Sequence, residues 1–135
     1  MVTLWSDDFE DGDISDWQDI TGTVVVTASP ARGNYAIKAY DTSQGYSPDF
    51  SSVGETTVDY WQIQNAQENC YIYVFSAGDD ALAGIRLDNN GNIQVFSKGA
   101  WSDTGYNYSI NTWYHLKIIL DPVNDRYNAR GRGWV

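Results

Sequence analysis

The chain has 135 residues, with 8 Lys and Arg against 18 Asp and Glu and a formal net charge of −10. Nucleic-acid surfaces and anionic lipid both call for clustered cations, so this balance disfavours both classes of partner. No apolar run reaches the roughly 20 residues that a membrane-spanning helix requires. The 6 Trp, 10 Tyr, 4 Phe and 12 Gly, with charged residues at only 19%, suit β-sheet and its turns rather than helix. One cysteine, Cys70, makes no internal disulfide and so does not mark a redox compartment.

In chain order, Met1-Val2-Thr3-Leu4-Trp5 lacks the basic start and apolar middle of a secretory leader. It runs into an acidic stretch, residues 7–19, that holds Asp7, Asp8, Glu10, Asp11, Asp13, Asp16 and Asp19 and reads as a loop. A period of two follows. Tyr35, Ile37 and Ala39 alternate with Ala36, Lys38 and Tyr40, and Tyr71, Tyr73 and Phe75 alternate with Ile72 and Val74. Ala83, Ile85 and Leu87 form a third run and Ile93 with Val95 a fourth, joined by Asn89-Asn90-Gly91, a hairpin signal because Asn and Gly accept positive φ. Residues 100–108 read as a loop marked by Gly105 and Asn107. Tyr114, Leu116, Ile118 and Leu120 make the clearest run, ending at a turn over Asp121-Pro122-Val123-Asn124-Asp125.

Short half-buried strands separated by turns, with no helical period, predict an all-β sandwich or barrel. The length predicts a single domain over residues 1–135. Arg126, Arg130 and Arg132, beside Gly131 and Gly133, lie in about the last ten residues, where alternation fades. This tail reads as disordered or as a truncated final strand. An open sheet edge there would be completed by a second copy or a flanking domain.

The chemistry-bearing residues are sparse. Glycosidases use two carboxylates roughly 5–9.5 Å apart, whereas Glu55 and Asp59 on one strand would stand about 13 Å apart. Asp7, Asp11 and Asp13 are better spaced but read as solvated loop acids. His115 is the only histidine. A lyase could pair it with a tyrosine such as Tyr73, with Arg86 or Lys117 neutralising a uronate, but the negative background opposes an acidic polymer. Cys70 lacks a triad around it, and zinc spacings and phosphate loops are absent from the sequence. Asp11-x-Asp13 does not continue as an EF-hand, because its sixth loop position is Asp16 rather than Gly.

Four segments, Asp8-Phe9-Glu10-Asp11-Gly12 with Trp17, Gly33-Asn34-Tyr35-Ala36-Ile37-Lys38, Thr57-Val58-Asp59-Tyr60-Trp61 and Asn111-Thr112-Trp113-Tyr114-His115-Leu116-Lys117-Ile118, occur in that order. Together they resemble the concanavalin A-like lectin/glucanase superfamily, including its laminin-G-like members. The first two also resemble galactose-binding-like carbohydrate modules. The resemblance implies a two-sheet antiparallel jelly-roll β-sandwich; the expected place of the protein is outside the cell or on its surface. It also implies a structural Ca2+ held by Glu10, Asn34 through its carbonyl, and Asp121. The Glu-x-Asp-x-Glu run of the related glucanases is missing.

The aromatic surplus is the strongest functional feature. A sandwich core absorbs one face of each strand, yet aromatics remain for the others. Sugar rings offer an apolar C–H face to an aromatic plane and hydroxyls to polar side chains. The expectation is a non-catalytic, lectin-like module binding a polysaccharide through Trp101, Tyr106, Tyr108 and Trp113, with Arg86, Asn92 and Gln94 on the hydroxyl rim. The alternatives are a glycosidase or lyase domain, or a structural or adhesion domain of a surface layer or virion.

Overall fold

A computed structural model describes residues 6–49, 54–76, 78–121 and 126–133, with 41–42 and 126–133 described by backbone alone. The described residues are all-β and contain no helix. They form nine strands: β1 (Gln18–Thr27), β2 (Ala36–Tyr46), β3 (Thr56–Gln62), β4 (Cys70–Phe75), β5 (Ala81–Leu87), β6 (Asn92–Ser97), β7 (Ala100–Asn107), β8 (Tyr114–Asp121) and β9 (Arg126–Gly133). These make three antiparallel sheets, ordered β1-β2, β3-β8-β9 and β4-β5-β6-β7. The chain divides into two compact units, Met1–Ser51 and Ser52–Val135.

The first unit carries the β1–β2 hairpin, with Thr27 opposite Ala36 and Val25 opposite Lys38. The acidic run leading into it is a chain of turns. Carboxylates of Asp7, Asp8, Asp11 and Asp13 each accept the backbone N–H two residues ahead, at 2.8, 3.1, 3.1 and 2.9 Å. Asp side chains favour this local bond, which competes with regular structure. Asp7 also accepts Trp17 Nε1 at 2.7 Å, and Trp17 stacks on Phe9 at 6.0 Å. Four of the acids that charge this segment therefore also shape its backbone.

The second unit is sandwich-like. Strands β5 and β6 of the four-stranded sheet lie over β8 and β9 of the three-stranded sheet. Ala83, Ile85 and Leu87 from β5 meet Tyr114, Leu116, Ile118 and Leu120 from β8, all buried. Val58 and Tyr60 of β3, Ile72 and Val74 of β4, and Ile93 and Val95 of β6 complete this core. Strict alternation along β8 is what a strand covered on one face requires, since successive side chains point to opposite faces.

Two departures from the sequence reading shape the second unit. Residues 100–107, expected as a loop, are strand β7, paired with β6 so that Phe96 faces Trp101 and Ser97 faces Ala100. The turn between them is Lys98-Gly99, with φ of 51° and 80°. Two consecutive positive φ values match the twist of a tight two-residue hairpin. The polar content of Ser102, Asp103 and Thr104 suits a strand at the sheet edge, where one side meets water. The tail is a strand as well: β9 pairs with β8 from Asp121↔Arg126 to Tyr114↔Gly133. The turn expected at 121–125 lies, except for Asp121, outside the described residues, as do residues 134–135.

Candidate functional site

The outward face of the four-stranded sheet carries the largest gathering of surface aromatics among the described residues. Two rows cross it in register. One runs Tyr71, Arg86, Gln94, Asp103; the next runs Tyr73, Gly84, Phe96, Trp101. The face follows from β5. Its odd-numbered residues Ala83, Ile85 and Leu87 are spent in the core, so Gly84 and Arg86 must look outward. On β4 the same rule sends Ile72 and Val74 inward and Tyr71, Tyr73 and Phe75 outward.

The rings touch one another. Tyr73 lies 5.3 Å from Tyr71, 5.5 Å from Phe75, 5.5 Å from Phe96 and 5.4 Å from Trp101 by ring centroid, and Phe96 lies 5.4 Å from Trp101. Their planes are tilted or edge-on, the arrangement that aromatic quadrupoles prefer. Gly84 makes room at the centre: a β-carbon there would stand 2.8 Å from the Ile72 carbonyl oxygen and 3.0 Å from Tyr73 Cδ1. Tyr73 therefore packs over bare backbone. Tyr71 and Phe75 remain 51% and 42% exposed, so water reaches the cluster.

Arg86 is fixed at its margin. The guanidinium carbon sits 4.5 Å from the Trp101 ring centroid. Arg86 Nε donates to Gln94 Oε1 at 2.9 Å, and Nη2 donates to the same oxygen. Stacking and hydrogen bonding together restrain a side chain that would otherwise sample many rotamers.

Of the residues expected to hold a ligand, Trp101, Arg86 and Gln94 come together here. The others go elsewhere. Tyr108 is 4% exposed and belongs to the core: its hydroxyl donates to the Asp88 carbonyl at 2.7 Å and accepts Gln64 Nε2 at 3.1 Å. It lies just past β7, at a point where the chain turns inward, so polarity nearby gave no hint of burial. Asn92 is occupied in the β5–β6 turn, donating to Asp88 from its backbone at 2.8 Å and its side chain at 3.2 Å. Tyr106 is 74% exposed but makes no ring contact with the cluster among the described residues. Trp113 is half-buried immediately before β8, outside the ring cluster.

Tyr71, Tyr73 and Phe75 join the site although the sequence did not mark them as sugar-binding, Tyr73 having been considered only as a lyase partner of His115. Alternation on β4 could not rank its two faces, because Ile72 and Val74 are as apolar as the rings. The Lys98-Gly99 turn was the missing signal for β7, since it would have put Trp101 beside Phe96.

The outward face of the other sheet carries a polar cluster. Asp59 on β3 shares a hydrogen bond with His115 and lies 3.0 Å from Lys117 Nζ on β8. Trp61 stacks on His115 at 4.5 Å with planes 6° apart. Partial burial works against the Asp59 charge, but hydrogen bonds from His115 and Lys117 outweigh it and hold the carboxyl below its usual range. Tyr73 and His115, the pair considered for lyase chemistry, stand on the outward faces of different sheets. Cys70 lies at the start of β4 in phase with Ile72; the residue is exposed to solvent, but the protein packed around its sulfur desolvates the thiol and pushes its pKa up, away from the reactive thiolate.

The residues implied for Ca2+ pair in part. Glu10 accepts Asn34 N at 2.8 Å, Asn34 Nδ2 at 2.7 Å and Tyr35 N at 3.1 Å, and these bonds hold its carboxyl below the usual range. Both Glu10 oxygens thus face N–H donors, where a Ca2+ would need converging oxygens. This part of the ligand set does not fit the ion. Asp121 closes β8 in the second unit.

Comparison with protein-family models, with curated proteins and with solved structures gave no match.

Proposed function

We propose that this protein is a non-catalytic carbohydrate-binding module that reads a polysaccharide across the outward face of β4–β7. The observation that carries the reading is the water-facing cluster of Tyr71, Tyr73, Phe75, Phe96 and Trp101 with Arg86 stacked at its edge. Rings of this kind cover the C–H faces of sugars, while Arg86 and Gln94 answer hydroxyls. An open sheet face buries little of a ligand, so single-site affinity is weak and avidity along a polymer matters. We place the module in the lectin-like jelly-roll class that residues 8–12, 33–38, 57–61 and 111–118 resemble, working outside the cell.

Tryptophan fluorescence, titrated with a panel of neutral and uronate-containing polysaccharides, tests the reading. At least one polymer should change the emission, and Trp101→Ala should weaken its binding by about tenfold or more, equivalent to ~1.4 kcal/mol. Trp61→Phe, on the other sheet, should leave affinity unchanged. Silence across the panel would sink the proposal. Repeating the titration with a chelator separates a Ca2+-dependent reader from one that uses the sheet face alone.

A further inference from the structure

We infer that Arg86 recognises a carboxylate on the bound glycan, which makes the preferred ligand a uronate-containing polysaccharide. The inference rests on the carbohydrate-binding reading and names its substrate class.

Arginine has five N–H donors; two are spent on Gln94 Oε1, which leaves three. No carboxylate lies within 4.0 Å of the guanidinium among the described residues, where the ion pairs found join Asp59 to His115 and Lys117. The Arg86 charge is felt by Asp88, but no carboxylate touches it, although acids outnumber Lys and Arg by 18 to 8. The nearest acid along the strand, Asp88, is occupied: its carboxylate accepts Asn90 N at 2.9 Å, Asn92 N at 2.8 Å and Asn92 Nδ2 at 3.2 Å. In the same row, Asp103 accepts Gly105 N at 2.8 Å.

A neutral donor would serve sugar hydroxyls, and Gln94 already stands in the row. What a guanidinium adds is charge and a planar fork that matches a carboxylate through two parallel N–H bonds. Stacking on Trp101 and the Gln94 bonds hold that fork in place beforehand, so little side-chain freedom is lost on binding. A uronate would lay its apolar ring face on the aromatic row and turn its carboxylate to Arg86 in the adjacent row. The net negative charge of the protein opposes approach of such a polymer from afar, but salt screens that repulsion beyond about 8 Å at physiological ionic strength, while the contact pair persists.

Calorimetry with polygalacturonate and its fully methyl-esterified form tests this on one backbone with and without charge. The wild type should bind the acid form at least about tenfold more tightly, a preference worth ~1.4 kcal/mol. Arg86→Gln should bind the two forms alike, and Arg86→Lys, which keeps charge but loses the fork, should lose most of the preference. Thermal melts of both variants confirm that the fold is intact. Equal wild-type binding of the two forms, or a preference that survives in Arg86→Gln, would overturn the inference. If the ester form binds equally well and that binding is lost in Trp101→Ala, only the carboxylate assignment falls. If neither form nor any neutral polysaccharide binds, the carbohydrate reading falls with it.

Discussion

At the level of single residues, two positions show how local chemistry sets the site. Asp88 organises the β5–β6 turn by accepting Asn90 N and Asn92 N on one carboxylate oxygen, while Gly91 supplies a φ of 84°. Asp88→Ala leaves those donors without a partner and should cost about 1–3 kcal/mol, measured by chemical denaturation. Desolvation works against the Asp88 charge, yet the Asn92 and Asn90 bonds and the nearby Arg86 outweigh it and lower its pKa. A folded-state pKa below the unfolded value of about 3.9 means stability that is present above that value and is lost as pH falls through the folded value. Melting temperatures taken from pH 6 down to pH 2 should therefore drop more for the wild type than for Asp88→Asn; parallel curves would refute the assignment. Gly84 makes the second case. Gly84→Val forces a side chain against the Ile72 carbonyl and the Tyr73 ring, and should cost about 1–3 kcal/mol by overpacking. The same change should weaken glycan binding, because Tyr73 must leave the ring cluster.

At the level of elements, legibility followed how one-sided each strand's environment is. Strand β8 was readable because Tyr114, Leu116, Ile118 and Leu120 are buried while His115, Lys117 and Ile119 are not, and only Ile119 blurs the pattern. Leu116→Ala and Ile118→Ala, both at fully buried positions, should each cost about 2–5 kcal/mol in equilibrium unfolding; losses under 1 kcal/mol would mean the two sheets do not pack as described. Strand β4 was readable as a strand but not in its orientation, since both of its faces are apolar. Strand β7 was unreadable by periodicity. Its register slips between Ile93 and Gln94 of its partner, and Gly105 with a φ of 78° falls inside it, so no period of two survives. The site was legible to the extent that Trp101, Arg86 and Gln94 were named. Tyr108 was misplaced because an aromatic in a polar stretch looks exposed, while its hydroxyl in fact satisfies the buried Asp88 carbonyl and Gln64 amide.

At the level of the whole molecule, charge and apolar core are unevenly shared. Residues 1–51 hold nine acids against Arg32 and Lys38, whereas residues 52–135 hold six of the eight cations. The buried hydrophobic cluster and the aromatic face both belong to the second unit. Residues 52–135 expressed alone should therefore unfold cooperatively on heating and keep polysaccharide binding within a few-fold of the full chain; a fragment without a melting transition would show that the first unit is needed for folding. Within that unit the meander β4–β7 is built from neighbours in sequence, but β3 pairs with β8, Gln62 opposite Tyr114 and Thr56 opposite Leu120. Such a pairing must close a long loop before any contact rewards it. During synthesis, β3 thus leaves the ribosome well ahead of its mate, and Val58 and Tyr60 wait uncovered while the whole meander is made. A nascent chain stalled before Tyr114 would therefore lack the strand that pairs with β3.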